Sequence, residues 1–158
     1  MALNSIYTAA LMEHNAHPDY KYEMDCPTMT HEGVNPSCGD DITLSLKLDG
    51  DVIEEAAFTG HGCAVSQASA DLMADLITDE TIEDARRYCD IFLRMIIGKA
   101  TDDEIAELGE AAQLKSISLM PARVKCAELG WRTAMTMLDQ RLLEEGKLPL
   151  DKKEQDSE

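Results

Sequence analysis

The segment Asn35-Pro36-Ser37-Cys38-Gly39-Asp40 sets a thiol and a carboxylate two residues apart, just ahead of the clearest hairpin in the chain. Two further cysteines, Cys63 and Cys126, complete a set of three thiols and one carboxylate. Such a set suits a tetrahedral, borderline-soft cation such as zinc, and it can equally hold iron with sulfide. No CxxC knuckle brings these residues together, so spacing alone leaves a plainer reading open. In that reading the cysteines are small residues at element ends, and Asp40 is a turn or strand-start residue. A hydrolytic pair of Cys38 or Cys63 with His61 lacks an orienting third residue and an oxyanion hole. Gly60-His61-Gly62 lacks the rest of a phosphate-binding loop.

The elements that must position these residues begin with a hairpin. Ile42, Leu44, Leu46 and Leu48 alternate with Thr43, Ser45 and Lys47, the period of a half-buried strand. Asp49-Gly50 predicts a two-residue turn, and Val52 to Thr59 a returning strand with Ala56 and Phe58 inward. A turn centred there puts Asp40 opposite Thr59 and Cys38 opposite His61, with Cys63 two residues on. Opposed residues lie roughly 4.5–5.5 Å apart, so Cys38, Asp40 and Cys63 are expected at one end of the sheet.

Cys63 opens a helix to about Ile77 with Val65, Ala68, Leu72 and Leu76 as its apolar stripe. At roughly 100° per residue the thiol points off that stripe. It occupies the first turn, where unpaired N–H groups favour a thiolate. Thr81 to Gly98 predicts a second helix, with Cys89 among Ile82, Ala85, Leu93 and Ile96 as an inert core thiol. Thr101-Asp102-Asp103-Glu104 is a capping box opening a short helix to about Leu108, and Gly109 to Ser118 reads as loop or irregular helix. Pro121 starts the last long helix, which runs to Glu145. Val124, Trp131, Met135, Leu138 and Leu142 form its stripe. Cys126 falls about 135° around from them, and a small thiol on the non-core side points to use rather than filling. Nearer the N-terminus, Ser5 to Asn15 predicts a helix stopped by Pro18, with His14 and His17 solvated at its end. Tyr20 to Val34 has no clear period, although Met29-Thr30-His31 is compatible with a short extended piece. Cys26 falls in this segment and has no assignable role.

The chain of 158 residues is long enough for one domain with a real core. That domain is expected over residues 1–146, with 147–158 a charged, disordered tail. A formal charge of −17, from 31 acidic against 14 basic residues, excludes nucleic acid or an anionic membrane as main partner. No signal peptide or membrane segment is read at the N-terminus or elsewhere. An odd number of cysteines, five, in an unexported chain then points to reduced thiols and a cytoplasmic location.

Three blocks taken together resemble the signatures of the IscU/NifU N-terminal family of iron–sulfur cluster assembly proteins, in its SufU branch. They are Asn35-Pro36-Ser37-Cys38-Gly39-Asp40, Gly60-His61-Gly62-Cys63-Ala64-Val65-Ser66-Gln67-Ala68-Ser69 and Pro121-Ala122-Arg123-Val124-Lys125-Cys126-Ala127-Glu128-Leu129. The resemblance extends from about Tyr7 to Leu138. IscU-type members carry a histidine directly before the third cysteine, where this chain has Lys125, and the segment around Gly98 to Ser118 resembles the insertion that marks the SufU type. The resemblance implies an α+β fold, a small antiparallel sheet with helices on one face. It also implies zinc held by Cys38, Asp40, Cys63 and Cys126, with an iron–sulfur cluster as the alternative cofactor. It implies that a SufS-like, PLP-dependent cysteine desulfurase passes persulfide sulfur to Cys38, the catalytic thiol, and that downstream Suf assembly proteins are further partners. Arg123, close to Cys126, is then a candidate for partner docking or for offsetting the site's negative charge. His61 is a candidate further ligand or proton donor. The expected function is a zinc-dependent sulfur acceptor; a scaffold on which a [2Fe–2S] cluster is built is the alternative, and a purely structural zinc module is a third reading.

Overall fold

The computed structural model describes residues 8–147. The start of the expected first helix, Ser5 to Tyr7, and all of the expected tail beyond Lys147 lie outside them. Helix α1 (Ala9–Ala16) leads into strands β1 (Met29–Asn35), β2 (Asp40–Asp49) and β3 (Val52–His61). Helices α2 (Ala64–Ile77), α3 (Ile82–Met95) and α4 (Asp102–Ala106) follow. A 3-10 segment (Gly109–Leu119) and the long α5 (Pro121–Glu144) complete the order. The strands form one antiparallel sheet in the order β1-β2-β3, and α5 and α2 pack against it. This is the α+β arrangement expected from the sequence.

β2 shows why. Its residues alternate between buried and half-buried, and Ile42, Leu44 and Leu46 are fully enclosed. The hairpin register differs from the expected one. Asp49 pairs with Val52, so the loop is Gly50-Asp51, and Gly50 accepts the positive φ of 62°. A bulge between Lys47 and Leu48 then adds one residue to β3, so Asp41, not Cys38, lies opposite His61. Beyond the bulge the pairing is regular, yet Ala56, Ala57 and Phe58 are buried in succession, so both faces of β3 are covered there.

β1 was legible only in part, at Met29-Thr30-His31, since four of its seven residues are exposed and no apolar alternation marks it. It runs antiparallel to β2, and its last residue Asn35 pairs with Asp40. That pairing closes the Pro36–Gly39 loop, where the Cys38 N–H reaches the Asn35 carbonyl at 3.3 Å. Gly33 of β1 lies so close to Thr133 and Leu129 of α5 that no side chain fits between them.

Helix α5 packs against α2, α3, the 3-10 segment, β1 and β2. Its Trp131 is fully buried and stacks on Phe92 of α3 at a centroid distance of 4.0 Å. The indole N–H donates to Ser69 Oγ of α2 at 2.8 Å, and Ser69 in turn donates to the Ala127 carbonyl at 2.6 Å. A helix covered on so many sides has no single apolar stripe. Val124 and Met135 are only half-buried, while Cys126, Ala127, Ala134 and Met137 are buried. Cys126 therefore does not face away from the packing, as its helical angle had suggested. Cys89 is buried, as expected of a core thiol.

His14 is not solvated, as its place near a helix end had suggested. Its Nδ1 lies 2.5 Å from Asp71 Oδ2 of α2 and its Nε2 2.5 Å from Glu110 Oε1 of the 3-10 segment. Asp71 has no exposed side-chain surface, and its Oδ1 accepts the Tyr20 N–H at 2.8 Å. Only the imidazolium can donate to both carboxylates at once. Burial by itself lowers the His14 pKa, but hydrogen bonds and charges from Asp71 and Glu110 carry it above the ordinary 6.5. Burial raises Asp71, with a further push from Asp19.

A histidine with a raised folded-state pKa contributes stability in full below its unfolded value and loses it as pH rises through the folded one. Asp71, also raised, adds a loss of the same sign at lower pH. Stability should therefore fall from about pH 6.5 upward in the wild type and fall less steeply in His14→Gln. Nuclear magnetic resonance titration of His14 should give a pKa above 6.5; a value below it would contradict the double carboxylate contact.

Candidate metal centre

Each cysteine of the candidate set arrives on a different element. Cys38 sits half-buried in the β1–β2 loop, whose turn is completed by Gly39 at φ 72°. Cys63 is the N-cap of α2, and its sulfur accepts the Ser66 N–H at 3.4 Å. Cys126 lies in the second turn of α5, fully buried. Asp40, the first residue of β2, has no exposed surface and lies among them.

Asp40 Oδ1 accepts the Cys63 N–H at 2.9 Å and the Ser66 hydroxyl at 3.1 Å. Its Oδ2 accepts the Asn35 amide at 3.1 Å, and that same amide lies 3.5 Å from the Cys126 sulfur. Burial alone would raise the Asp40 pKa. The Cys63 N–H, the Cys126 thiol, Asn35 and Ser66 outweigh that and hold the carboxyl below its ordinary range. For Cys126 the balance runs the other way: burial first, then Cys38, Asp40 and Cys63, push its thiol far up. The polypeptide alone thus keeps a carboxylate ionised and a neighbouring thiol neutral.

Ligand atoms of Cys38, Asp40 and Cys126 all lie within 4.8 Å of one another. Cys63 adjoins this trio through the hydrogen bond of its backbone N–H to Asp40 and its interaction with the Cys126 thiol. All four residues proposed from the sequence are thus brought to one end of the sheet, although the expected register was wrong. The close trio supplies two sulfurs and one carboxylate oxygen, and with the adjoining Cys63 sulfur the donor set suits a tetrahedral cation of borderline softness. A dication there would favour thiolate over thiol, which is what Cys126 lacks without one.

Of the other residues singled out, His61 ends β3 and is exposed, and it is not part of the close trio. Cys26 is exposed at φ 52°, and Lys125 is exposed. Arg123 is half-buried in the first turn of α5. Its neighbour Ala122 offers a carbonyl 3.9 Å from the Cys38 sulfur, so that turn borders the site. Sequence reasoning gave no role to Asn35 or Ser66, which the fold makes the partners of Asp40. The signal was present, since both are polar residues inside the cysteine blocks.

The model of the NifU-like N-terminal domain matches residues 6–127. The chain belongs to that family. It is 41% identical over 130 residues to the zinc-dependent sulfurtransferase SufU of Bacillus subtilis (strain 168), covering 82% of this chain and 87% of that protein. It is 37% identical over 129 residues to the iron–sulfur cluster assembly scaffold protein IscU of Streptococcus pyogenes serotype M1, covering 82% and 80%. A crystal structure described as a putative iron–sulfur cluster assembly scaffold protein for the SUF system, from Fervidobacterium islandicum AW-1, superposes with a TM-score of 0.80 at 34% identity. That superposition covers 84% of this chain and 96% of the other. The match to the NifU-like domain model thus takes in all four members of the cluster, Cys126 lying just inside its end.

Gly62 supplies the close approach that lets the four residues of this chain converge. A methyl group added there would meet Ser66 Oγ and would stand 2.5 Å from Asp40 Oδ1. Both atoms are held by other bonds, so the loop must move. Gly62→Ala should destabilise the metal-free chain by about 1–3 kcal/mol in urea unfolding. A change under about 0.5 kcal/mol would show that the loop yields freely.

Proposed function

We propose that this chain is a sulfur acceptor for iron–sulfur cluster assembly, with a zinc site made by Cys38, Asp40, Cys63 and Cys126. The observation that carries the reading is the convergence of the Cys38 and Cys126 thiols on the buried, ionised Asp40, with Cys63 at the helix start beside them. Similarity to a relative named as a zinc-dependent sulfurtransferase supports it. Zinc, when bound, keeps the thiols in their nucleophilic, deprotonated form at neutral pH.

Cys38 is the acceptor in this reading because the other two sulfurs are more committed. Cys126 is buried, and the Cys63 sulfur caps α2 through Ser66. Cys38 stands half-buried between exposed Ser37 and exposed Gly39. Its thiolate attacks the outer sulfur of a persulfide carried by a PLP-dependent cysteine desulfurase. The donor's sulfur–sulfur bond breaks, its thiolate leaves with the electron pair, and a persulfide forms on Cys38. Ser66 and Asn35 keep Asp40 in place meanwhile, and Arg123, beside Ala122, is suited to docking the desulfurase. The reduced thiols this chemistry requires fit a cytoplasmic setting, and no helix among the described residues is long and apolar enough to cross a membrane.

The alternative is a scaffold on which a [2Fe–2S] cluster is assembled, favoured by the similarity to relatives named as IscU scaffolds. The donor set permits either. Lys125 is exposed and outside the close group, so it adds nothing to the scaffold reading.

Cys38→Ala should lose sulfur acceptance and desulfurase stimulation to background, measured by transfer of radiolabelled sulfur. Full stimulation by that variant would refute the acceptor role. Elemental analysis separates the two readings, with about one zinc per chain and no visible absorption band expected. Conversely, a visible-absorbing cluster formed from iron and sulfide under anaerobic conditions, with labile sulfide bound, would put the scaffold first.

A further inference from the structure

Among the described residues, Gln67 is the side chain whose buried polar atoms, Nε2 and Oε1, find no hydrogen-bond partner. The residue is 6% exposed and lies in the opening turns of α2, where its N–H bonds to the Cys63 carbonyl at 3.1 Å. A buried, unpaired carboxamide is unfavourable, and methionine or leucine would fill similar space without that penalty. The amide therefore points to a state of the protein in which it is paired.

Residues four apart share one side of a helix, so Cys63, Gln67 and Asp71 form a line along α2. At the far end Asp71 is already engaged, its Oδ1 by the Tyr20 N–H and its Oδ2 by His14. Helical side chains lean toward the N-terminus, which carries the Gln67 carboxamide toward the Cys63 end of the line. A neutral thiol is a weak acceptor there, whereas a thiolate is a strong one. Asn35 already provides such a contact to another sulfur of the site, its amide reaching both Asp40 and the Cys126 sulfur.

We infer that Gln67 is a positioning residue for the cysteine site, its side-chain NH2 donating to the Cys63 sulfur when that sulfur is a metal-bound thiolate. This rests on the reading of the four residues as a metal site. Donors to ligand sulfurs orient the ligands and offset charge, and their loss weakens metal binding. Gln67 would serve Cys63 as Asn35 serves Cys126.

The test compares wild type with Gln67→Leu in two measurements: thermal melting of each metal-free chain, and zinc affinity by competition with a chromophoric chelator. Metal-free Gln67→Leu should melt at or above the wild-type temperature, because an unpaired polar group has been removed. Its zinc affinity should nevertheless fall about tenfold. Affinity within about twofold of wild type would overturn the inference. If the variant does not fold, the wild type decides by nuclear magnetic resonance of the Gln67 side-chain amide before and after one equivalent of zinc. A downfield shift with slower solvent exchange is expected, and an unchanged resonance overturns the inference. Absence of zinc uptake by the wild type overturns the metal reading and this inference together. Normal wild-type uptake with an unaffected variant overturns this inference alone.

Discussion

Asp40 is a carboxylate with no exposed surface, and each element that brings a cysteine to the site reaches it. β1 does so through Asn35, the loop before α2 through the Cys63 N–H, α2 through Ser66, and α5 through Cys126. An ionised group without water requires such partners, because burial penalises charge unless hydrogen bonds replace the lost solvation. Those partners come from parts of the chain as far apart as residues 35 and 126. Tying them to one carboxylate assembles the site, and the same bonds hold Asp40 where a cation would need it.

The remainder of the fold supports this constraint by fixing the elements that converge on it. Trp131 locks α5 to α3 by stacking on Phe92, and to α2 through Ser69. Gly33 lets β1 come close against α5 near Thr133. These contacts are apolar or paired with other protein groups, and none of them involves a candidate ligand side chain. The reactive part is correspondingly local. Cys38 rides half-buried on a short loop between two paired strands, while Asp40 and Cys126 are buried.

Much of the helical frame was legible before any coordinates. Thr81 and Thr101 cap their helices as their positions suggested, the latter with a full capping box to Glu104. Pro121 stands at the first position of α5. These signals are local, because a cap is made within about one turn of itself. Beyond Met29-Thr30-His31, β1 was not legible, because it lacks an apolar alternation and its strand character comes from pairing with β2. The register of the hairpin was misread because Asp49-Gly50 marks a turn without deciding which two residues form it. The bulge between Lys47 and Leu48 has no mark in the local sequence either.

By itself the sequence determined which side chains were candidates for a metal site, where most helices start, and that the hairpin would bring Cys38 and Cys63 to one end of a sheet. Those are matters of residue type and near-neighbour periodicity. The tertiary structure decided that Cys126 is buried rather than outward, and that Asn35 and Ser66 hold Asp40. It also decided that His14 bridges two carboxylates and that the buried Gln67 amide, one turn after Cys63, is left unpaired. Each depends on what a second or third element presses against the first, and burial and hydrogen-bond pairing exist only once those distant segments have been brought together.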